Sequence, residues 1–203
     1  RDFGFGSRTG INLPGEVAGI VHPLKKWSKL SISRVPMGHE VASTPLQIVM
    51  MMSAIANGGR LMQPRVIDRL EDEKGRLVLK YPVKLVRQSI SATTAKQVTK
   101  ALKTVAAQGG TAHRAELDFY TVAGKTGTAQ KAGRGGYIPG KYYASFVGFL
   151  PADKPELCIL VAVDEPQGDY YGGLVAAPIF KAIAGRAASY LGIVPDKKPD
   201  ELA

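Results

Sequence analysis

The sequence predicts an α+β fold in which a small antiparallel sheet is covered by helices, and three observations support this prediction. Three strand-like segments follow one another at residues 119–130, 141–150 and 156–164. The connections between them are short, and short connections favour antiparallel neighbours. Helical segments stand before and after these strands, so each face of the sheet has a candidate cover.

Composition places the chain among ordinary globular proteins. It has 203 residues, of which 45% are hydrophobic and 22% charged, and both fractions are typical of a folded domain. No run of about eighteen apolar residues occurs, so no membrane-spanning helix is predicted. Cys158 is the only cysteine, which excludes an internal disulfide and a metal site built from cysteines.

The first clear element follows a stretch, residues 1–38, that is rich in glycine, proline and serine and is predicted to be mostly loop. Thr44 is a good N-cap, Pro45 suits the first helical position, and Gln47 completes a capping-box spacing. Glycines and an asparagine at 57–59 end the pattern. We therefore expect a buried helix at 45–56.

A peripheral β-hairpin is predicted next, within residues 61–81. Strand-like segments at 61–70 and 76–81 flank a polar turn that ends in Gly75. Pro64 cannot donate to a strand ladder, so the first of these strands should lie at an edge.

The remaining elements are a second helix, the three strands and a final helix. Ser91 to Gln108 has apolar residues at helical spacing, and two glycines end it. The first two strands are joined by a glycine-rich segment, Lys131 to Gly140, which we predict to be a loop. The last helix should run from about Val175 to Leu191. Three strands form a small sheet for this length, so we expect further elements of the same domain upstream of Arg1.

The charge is strongly positive and unevenly distributed. The formal net charge is +10, and no acidic residue lies between Asp118 and Asp153. Lys125, Lys131 and Arg134 fall in that window together with Lys141. These cations predict a local positive field that attracts an anion. A soluble basic surface and a nucleic-acid-binding surface are alternative interpretations, but no helix-turn-helix, zinc or aromatic stripe pattern supports nucleic acid.

One short motif carries chemistry. Lys125, Thr126, Gly127 and Thr128 stand within the first of the three strands. They supply a fixed cation, two hydroxyl donors and a glycine that leaves room for a substrate. A solubilised edge strand would use the same residue types. Strand alternation puts Lys125 and Gly127 on the face opposite Thr126 and Thr128, so only a ligand along the strand edge meets both pairs.

Lys-Thr-Gly is also a signature element of penicillin-binding proteins and serine β-lactamases, and several further segments extend the resemblance. These segments are Phe3–Gly6, Thr9–Ile11, Leu13–Glu16, Thr44–Gln47, Ala56–Gly59, Tyr142–Ala152, Tyr171–Gly173 and Ala176–Phe180. In their order and spacing the chain resembles the class B penicillin-binding proteins, with the cell-division type favoured. The chain is therefore identified as the C-terminal part of a single transpeptidase domain, residues 1–203.

The resemblance implies a role for each residue of the motif. Lys125 would lie beside the serine of a Ser-x-Asn triplet and assist proton transfer. Thr126 and Thr128 would bind the carboxylate of a stem peptide or a β-lactam, with Gly127 between them. The backbone N–H of Thr128 would supply half of an oxyanion hole, and the N–H of the nucleophile would supply the other half.

The chain departs from the family pattern at one decisive point. No lysine has a serine three residues before it; the nearest imitations are Thr93 with Lys96 and Thr128 with Lys131. In the family the Ser-x-x-Lys and Ser-x-Asn elements precede the Phe-Gly-Phe-Gly segment. We therefore expect the nucleophile upstream of Arg1, in the other half of the same domain.

The resemblance implies a peptidoglycan D,D-transpeptidase that works by serine acyl transfer on D-Ala-D-Ala stem peptides. It implies no metal and no organic cofactor, and the three histidines, His22, His39 and His113, lack ligand spacing. It places the domain on the periplasmic face of the inner membrane, held by an anchor outside this chain. Expected partners are stem peptides, β-lactams and other cell-wall synthesis or division proteins. The alternative is a β-lactam-sensing or scaffolding domain without turnover.

Overall fold

The computed structural model describes residues 1–133 and 135–197, so Arg134 of the basic window lies outside the described residues. Three short 3₁₀ segments at Leu24–Lys26, Val35–Met37 and His113–Ala115 accompany the helices and strands. In chain order those elements are β1 (Ile20–Val21), α1 (Ser31–Arg34), β2 (Val41–Ala42), α2 (Pro45–Ala56), β3 (Arg60–Met62), β4 (Arg69–Glu71), β5 (Leu77–Lys80), β6 (Leu85–Gln88), α3 (Ala92–Ala106), β7 (Ala123–Gly133), β8 (Gly136–Leu150), β9 (Leu157–Asp164) and α4 (Gly172–Tyr190).

The centre of the molecule is a three-stranded antiparallel sheet in the order β7-β8-β9. The prediction of a loop at Lys131–Gly140 is wrong, because β7 and β8 continue through most of this segment. Ala132 pairs with Tyr137 and Gly133 with Gly136, while the Gln130 side chain donates to the Ile138 carbonyl at 3.0 Å. Strand pairing therefore outweighs the turn preference of the glycines.

Helices cover both faces of this sheet. On one face Phe146 of β8 meets Phe180 of α4 edge to face, with ring centroids 4.8 Å apart. On the other face Met52 of α2 packs with Val147 and Phe149 of β8. The antiparallel sheet between helices confirms the predicted α+β architecture.

The helix predicted at 45–56 is confirmed, together with its cap. The Thr44 hydroxyl accepts from the Gln47 backbone N–H at 3.1 Å, and the Gln47 side chain accepts from the Thr44 N–H at 3.0 Å. Gln47 is buried, and its amide also donates to the carbonyls of Ser7 and Ala18. The cap therefore also fixes the N-terminal segment in place. Residues 1–38 are mostly loop, as predicted, apart from β1, α1 and two 3₁₀ segments.

The segment between α2 and α3 forms two separate two-stranded sheets. β3 pairs with β6, while β4 pairs with β5 around the polar turn. The predicted continuous strand at 61–70 is therefore interrupted, since its two ends belong to different sheets. Pro64 lies in the interruption, where it takes no part in either ladder.

The last helix begins at Gly172, three residues before the predicted start. Glycine lowers helix propensity, so the sequence pattern alone does not favour this early start. In residues 1–133 and 135–197 no helix combines the length and the apolar character needed to cross a membrane. The same residues hold no cluster of three histidine, cysteine or carboxylate side chains arranged for a metal ion.

Candidate active site

Strand β7 carries the Lys-Thr-Gly-Thr motif along an edge of the central sheet. Its first residues, Ala123 and Gly124, are buried, whereas Lys125 and Thr128 are exposed. A side chain at Gly124 would lie 2.5 Å from the Phe146 ring and 2.7 Å from the Val147 carbonyl, so only glycine fits there. The buried first residues fix the position of β7, and the motif that follows them lies on the solvent-accessible edge of the sheet.

The structure separates the motif residues onto two faces, as strand alternation requires. Thr126 pairs with Phe146 and therefore shares the face that α4 covers. The hydroxyls of Thr126 and Thr111 are 3.3 Å apart, and the Gly172 N–H donates to the Thr128 hydroxyl at 3.1 Å. Lys125, opposite Val147, lies on the other face. The Thr128 hydroxyl is thus hydrogen-bonded to the start of α4, whereas the Thr126 hydroxyl contacts Thr111, which follows α3.

The orientation of the peptide group between Gly127 and Thr128 follows from its contacts. The Ser145 hydroxyl of β8 lies 3.5 Å from the Gly127 carbonyl oxygen and donates to it, so this carbonyl faces β8. Because a trans peptide group is planar, the Thr128 N–H points the opposite way, toward the free edge. The Lys125 ammonium donates to the Thr126 carbonyl at 2.9 Å, which places that oxygen at the same edge.

The N-terminus of α4 is seated directly against this strand. A side chain at Gly172 would lie 2.2 Å from the Ser145 carbonyl oxygen and 2.5 Å from that of Gly127. One at Gly173 would lie 2.0 Å from the Thr111 carbonyl oxygen. The two glycines therefore permit contact between backbones. The first turn of α4 carries no acidic residue, so the partial positive charge of the helix terminus faces Thr128.

Three tyrosines form a wall beside Thr128. The rings of Tyr142 and Tyr170 are stacked with centroids 4.3 Å apart, and Tyr171 follows at 4.5 Å from Tyr170. Tyr171 is exposed and directly precedes Gly172. The Tyr170 hydroxyl donates to that of Tyr171 at 3.2 Å, and this hydrogen bond raises the pKa of Tyr170. The wall offers an aromatic surface to an apolar group next to the threonine hydroxyls.

The predicted positive field is weaker than the acid-free window of the sequence indicates. Lys131 binds Asp164 at 2.8 Å and Glu165 at 2.9 Å, and Lys141 also pairs with Glu165. These ion pairs raise the pKa of Lys131 and lower that of Glu165. These two carboxylates lie at the end of β9, beyond Asp153, where the acid-free window of the sequence ends. Within the described residues Lys125 has no carboxylate within 4 Å.

Three contributors to the site were missed by sequence reasoning. Thr111 follows α3, Ser145 lies on β8, and Gly172 begins α4. Ser145 and Gly172 lie in segments that carry the family resemblance, Tyr142–Ala152 and Tyr171–Gly173, but nothing in the sequence marked them as contacts of the motif. The adjacent glycines at 172–173 were the one local indication of a close backbone approach. Thr111 and Ser145 reach the motif through tertiary packing alone.

No nucleophile pair is assembled by the described residues. Among them no serine hydroxyl is hydrogen-bonded to a lysine ammonium or to a histidine ring, and the buried Ser31 donates to Glu40 instead. Thr128 and Lys131, one of the two imitations of Ser-x-x-Lys, are engaged separately with Gly172 and with Asp164. The described site can hold an anion and polarise a carbonyl, but it holds no activated serine.

Comparison with known proteins gives one consistent result. The model of the penicillin binding protein transpeptidase domain matches residues 1–185. The chain is 41% identical over 203 residues to stage V sporulation protein D of Bacillus subtilis, covering 99% of this chain and 31% of that protein. It is 32% identical over 198 residues to the probable peptidoglycan D,D-transpeptidase PenA of Neisseria flavescens, covering 97% of this chain and 47% of that one.

Solved structures agree with these sequence matches. Penicillin binding protein 3 from Mycobacterium tuberculosis, complexed with ampicillin, superposes with a TM-score of 0.88 at 35% identity, covering 98% of this chain and 46% of that chain. The transpeptidase domain of Burkholderia pseudomallei penicillin-binding protein 3 gives 0.84 at 32% identity, with 97% and 57% covered. The chain spans about a third to somewhat over half of the length of these relatives.

Proposed function

Because this chain belongs to the family of penicillin-binding protein transpeptidase domains, we propose that it forms one wall of a serine D,D-transpeptidase site that cross-links peptidoglycan. The class B resemblance in the sequence and the transpeptidase fold it implied are confirmed by the same matches. The observation that supports the activity best is the outward-facing Thr128 N–H on a free strand edge, beside Lys125.

The proposed reaction is acyl transfer in two steps. A serine from outside these 203 residues attacks the carbonyl carbon of the penultimate D-alanine, and its proton passes through a neighbouring base to the leaving D-alanine. The Thr128 N–H stabilises the oxyanion that develops on the carbonyl oxygen. An amine of a second stem peptide then attacks the acyl carbon, and its proton passes through the base to the serine oxygen. The ester bond to the serine breaks as the amide bond of the cross-link forms.

Lys125 would act on the free-edge side of the strand. Its ammonium lies beside the Thr126 carbonyl and close to the edge where the substrate carbonyl must lie. A fixed cation there favours negative charge in the transition state and assists proton transfer at the neighbouring serine of a Ser-x-Asn triplet. This role is carried over from the family motif onto Lys125.

The terminal carboxylate of the substrate would bind at Thr126 and Thr128. The Thr128 hydroxyl accepts its hydrogen bond from Gly172, which leaves its own hydrogen free to donate to a carboxylate. The positive end of α4 adds favourable electrostatics for an anion. The solved relatives from M. tuberculosis hold ampicillin and aztreonam, and we extend β-lactam binding to this chain on the same subsite.

We also propose the limits of the domain, its cellular location and its partners. We assign residues 1–203 to the C-terminal part of one transpeptidase domain and residues 61–81 to a peripheral region of it. The domain would work at the periplasmic face of the inner membrane, held by an anchor outside these residues. Cell-wall synthesis or division proteins are the proposed partners beyond stem peptides and β-lactams.

The test is Lys125→Ala in a longer form of the protein that carries the Ser-x-x-Lys serine. We expect β-lactam acylation to fall by about 10²–10³ in rate, the usual loss for one electrostatic element. The unfolding midpoint should stay unchanged, because Lys125 is exposed. Stopped-flow acylation measures the first effect and denaturant unfolding the second, with the equally exposed Lys154→Ala as the matched control.

Three outcomes would contradict the proposal. An acylation rate of Lys125→Ala near that of the wild type would show that Lys125 does not assist acylation. A covalently labelled band from the 203-residue chain alone, mapped to a serine within it, would place the nucleophile here and not upstream. Acylation without steady-state transpeptidation by the longer protein would favour the β-lactam-sensing alternative.

A further inference from the structure

Exposed apolar side chains are concentrated in the segment between α2 and α3, away from the proposed active site. Nine of the large hydrophobic side chains that the described residues expose fall between residues 66 and 86. Single exposed hydrophobics are normal on a protein surface, whereas a contiguous group marks an interaction site. We therefore expect this segment to bind a partner.

The centre of the group is the leucine face of the β4–β5 hairpin, formed by Leu70, Leu77 and Leu79. Leu70 lies directly opposite Leu79, and Leu77 is two residues before Leu79 on the same side of β5. These three side chains are 43%, 59% and 47% exposed. In the described part of the chain β4 and β5 pack on each other and on no other helix or strand to a comparable extent.

A hairpin of this kind is incomplete by itself. Two isolated antiparallel strands are marginally stable in water, and a third strand or a covering helix is the usual remedy. Each strand of the β4–β5 pair has a single ladder partner, so each keeps an unpaired hydrogen-bonding edge within residues 1–133 and 135–197. An open edge of this type is a template for an added strand.

The charges of the hairpin region select the occupant. Three of its four carboxylates are engaged, since Asp68 pairs with Arg65 and Asp72 with Arg76, both below 3 Å, and Glu71 pairs with Arg69, while the fourth, Glu73, lies in the turn outside both strands. Lys74, Lys80 and Lys84 have no carboxylate within 4 Å among the described residues. A second copy of this chain would bring the same cations to the contact, so an anionic occupant is favoured.

We propose that β5 accepts an added strand from a partner protein, an extended segment in which apolar side chains alternate with acidic ones. The residues of β5 that an added strand would face determine this alternation. A partner residue opposite Leu79 lies on the leucine face and gains from being apolar, while its neighbour lies beside Lys80 on the other face and gains from being acidic. Backbone hydrogen bonds along β5 supply affinity, and the alternation supplies specificity.

The experiment titrates the full 203-residue chain with a blocked peptide of alternating valine and glutamate, about eight residues long, the length of a long strand. NMR should show shift changes and slowed amide exchange in β4 and β5, with the resonances of β8 unmoved. A peptide of alternating valine and lysine should leave the hairpin unchanged, because it brings like charge to Lys80.

Lys80→Glu is the decisive variant, since it reverses the charge and keeps the leucine face. We expect the glutamate peptide to bind at least about tenfold more weakly to it, and the lysine peptide to gain binding. Lys29→Glu, an exposed lysine outside the hairpin, is the matched control and should bind like the wild type. Absence of binding, binding indifferent to Lys80→Glu, or hairpin shifts caused only by phosphatidylglycerol vesicles or by self-association would overturn the proposal.

Discussion

The β7–β8 and β4–β5 pairs are both antiparallel hairpins of consecutive strands, yet they differ in what surrounds them. The inner half of β8 is buried between α4 on one face and α2 on the other, and Phe146 and Phe149 have no exposed surface. Every residue of β4 and β5 is exposed. Strand-forming side chains are common to both hairpins, so their rigidity depends on the helices that cover them. Only the covered hairpin provides a fixed platform for catalytic groups.

The largest effect is expected from Phe146→Ala in the covered hairpin. This change removes a fully buried ring that contacts Phe180 of α4. The loss of burial and the cavity together should cost about 3–5 kcal/mol of unfolding free energy. Denaturant unfolding of the chain measures it, and a loss below about 1 kcal/mol would show that α4 does not clamp the sheet.

A smaller effect is expected where α4 meets β7. In Gly172→Ala the new methyl group would approach two backbone carbonyl oxygens within 2.5 Å, and neither can move without displacing a strand. Overpacking of this kind costs about 1–3 kcal/mol, and the amide resonance of Thr128 should shift. Gly185→Ala in the same helix is the control, because its nearest neighbour is Leu117 at 3.7 Å. It should gain about 0.5–1 kcal/mol from helix propensity.

The exposed hairpin should respond much less. Leu79→Ala removes a side chain that is about half exposed and contacts mainly its own hairpin. The unfolding free energy should change by at most about 0.5 kcal/mol. A loss comparable to that of Phe146→Ala, measured in the same denaturant series, would mean that the hairpin belongs to the folding core.

The smallest effect is expected at the outer end of the covered hairpin, where Lys131 and Lys141 meet Glu165. These lysines lower the pKa of Glu165 below its ordinary value of 4.5. A carboxyl group whose pKa is lower in the folded state than in the unfolded state stabilises the fold at pH values above the unfolded-state pKa. This stabilisation is lost as the pH falls through the folded-state pKa. The stability difference between the wild type and Glu165→Gln should therefore be small at neutral pH and vanish in acid. A difference that grows in acid would contradict this sign.

Local signals predicted some elements well and others poorly. The cap at Thr44 and Gln47 defined α2 to the residue, because the interactions that begin this helix lie within four residues. The glycines at 133, 135 and 136 indicated a loop, yet pairing between strands that are adjacent in space extended the hairpin. The early start of α4 depends on contacts of Gly172 with β7 and β8, which no local pattern contains.

The same distinction applies to the candidate site. Lys125 to Thr128 could be named from the sequence because the motif is contiguous and lies in one strand. Thr111, Ser145 and Gly172 come from three other places in the chain and meet the motif only after folding. The direction of the Thr128 N–H was likewise inaccessible, since it depends on which edge of β7 is paired.

The seating of α4 on β7 also sets how the molecule fluctuates. The Thr128 hydroxyl is bonded to the first residue of the helix, and the aromatic contact of Phe146 with Phe180 lies further along it. Those backbone amide protons of residues 125–128 that face β8 should therefore exchange with solvent together with the amide protons of α4. Both sets would be released in one cooperative opening. The Thr128 hydroxyl therefore keeps its position unless α4 lifts from the sheet, so substrate binding requires little reorganisation of this group.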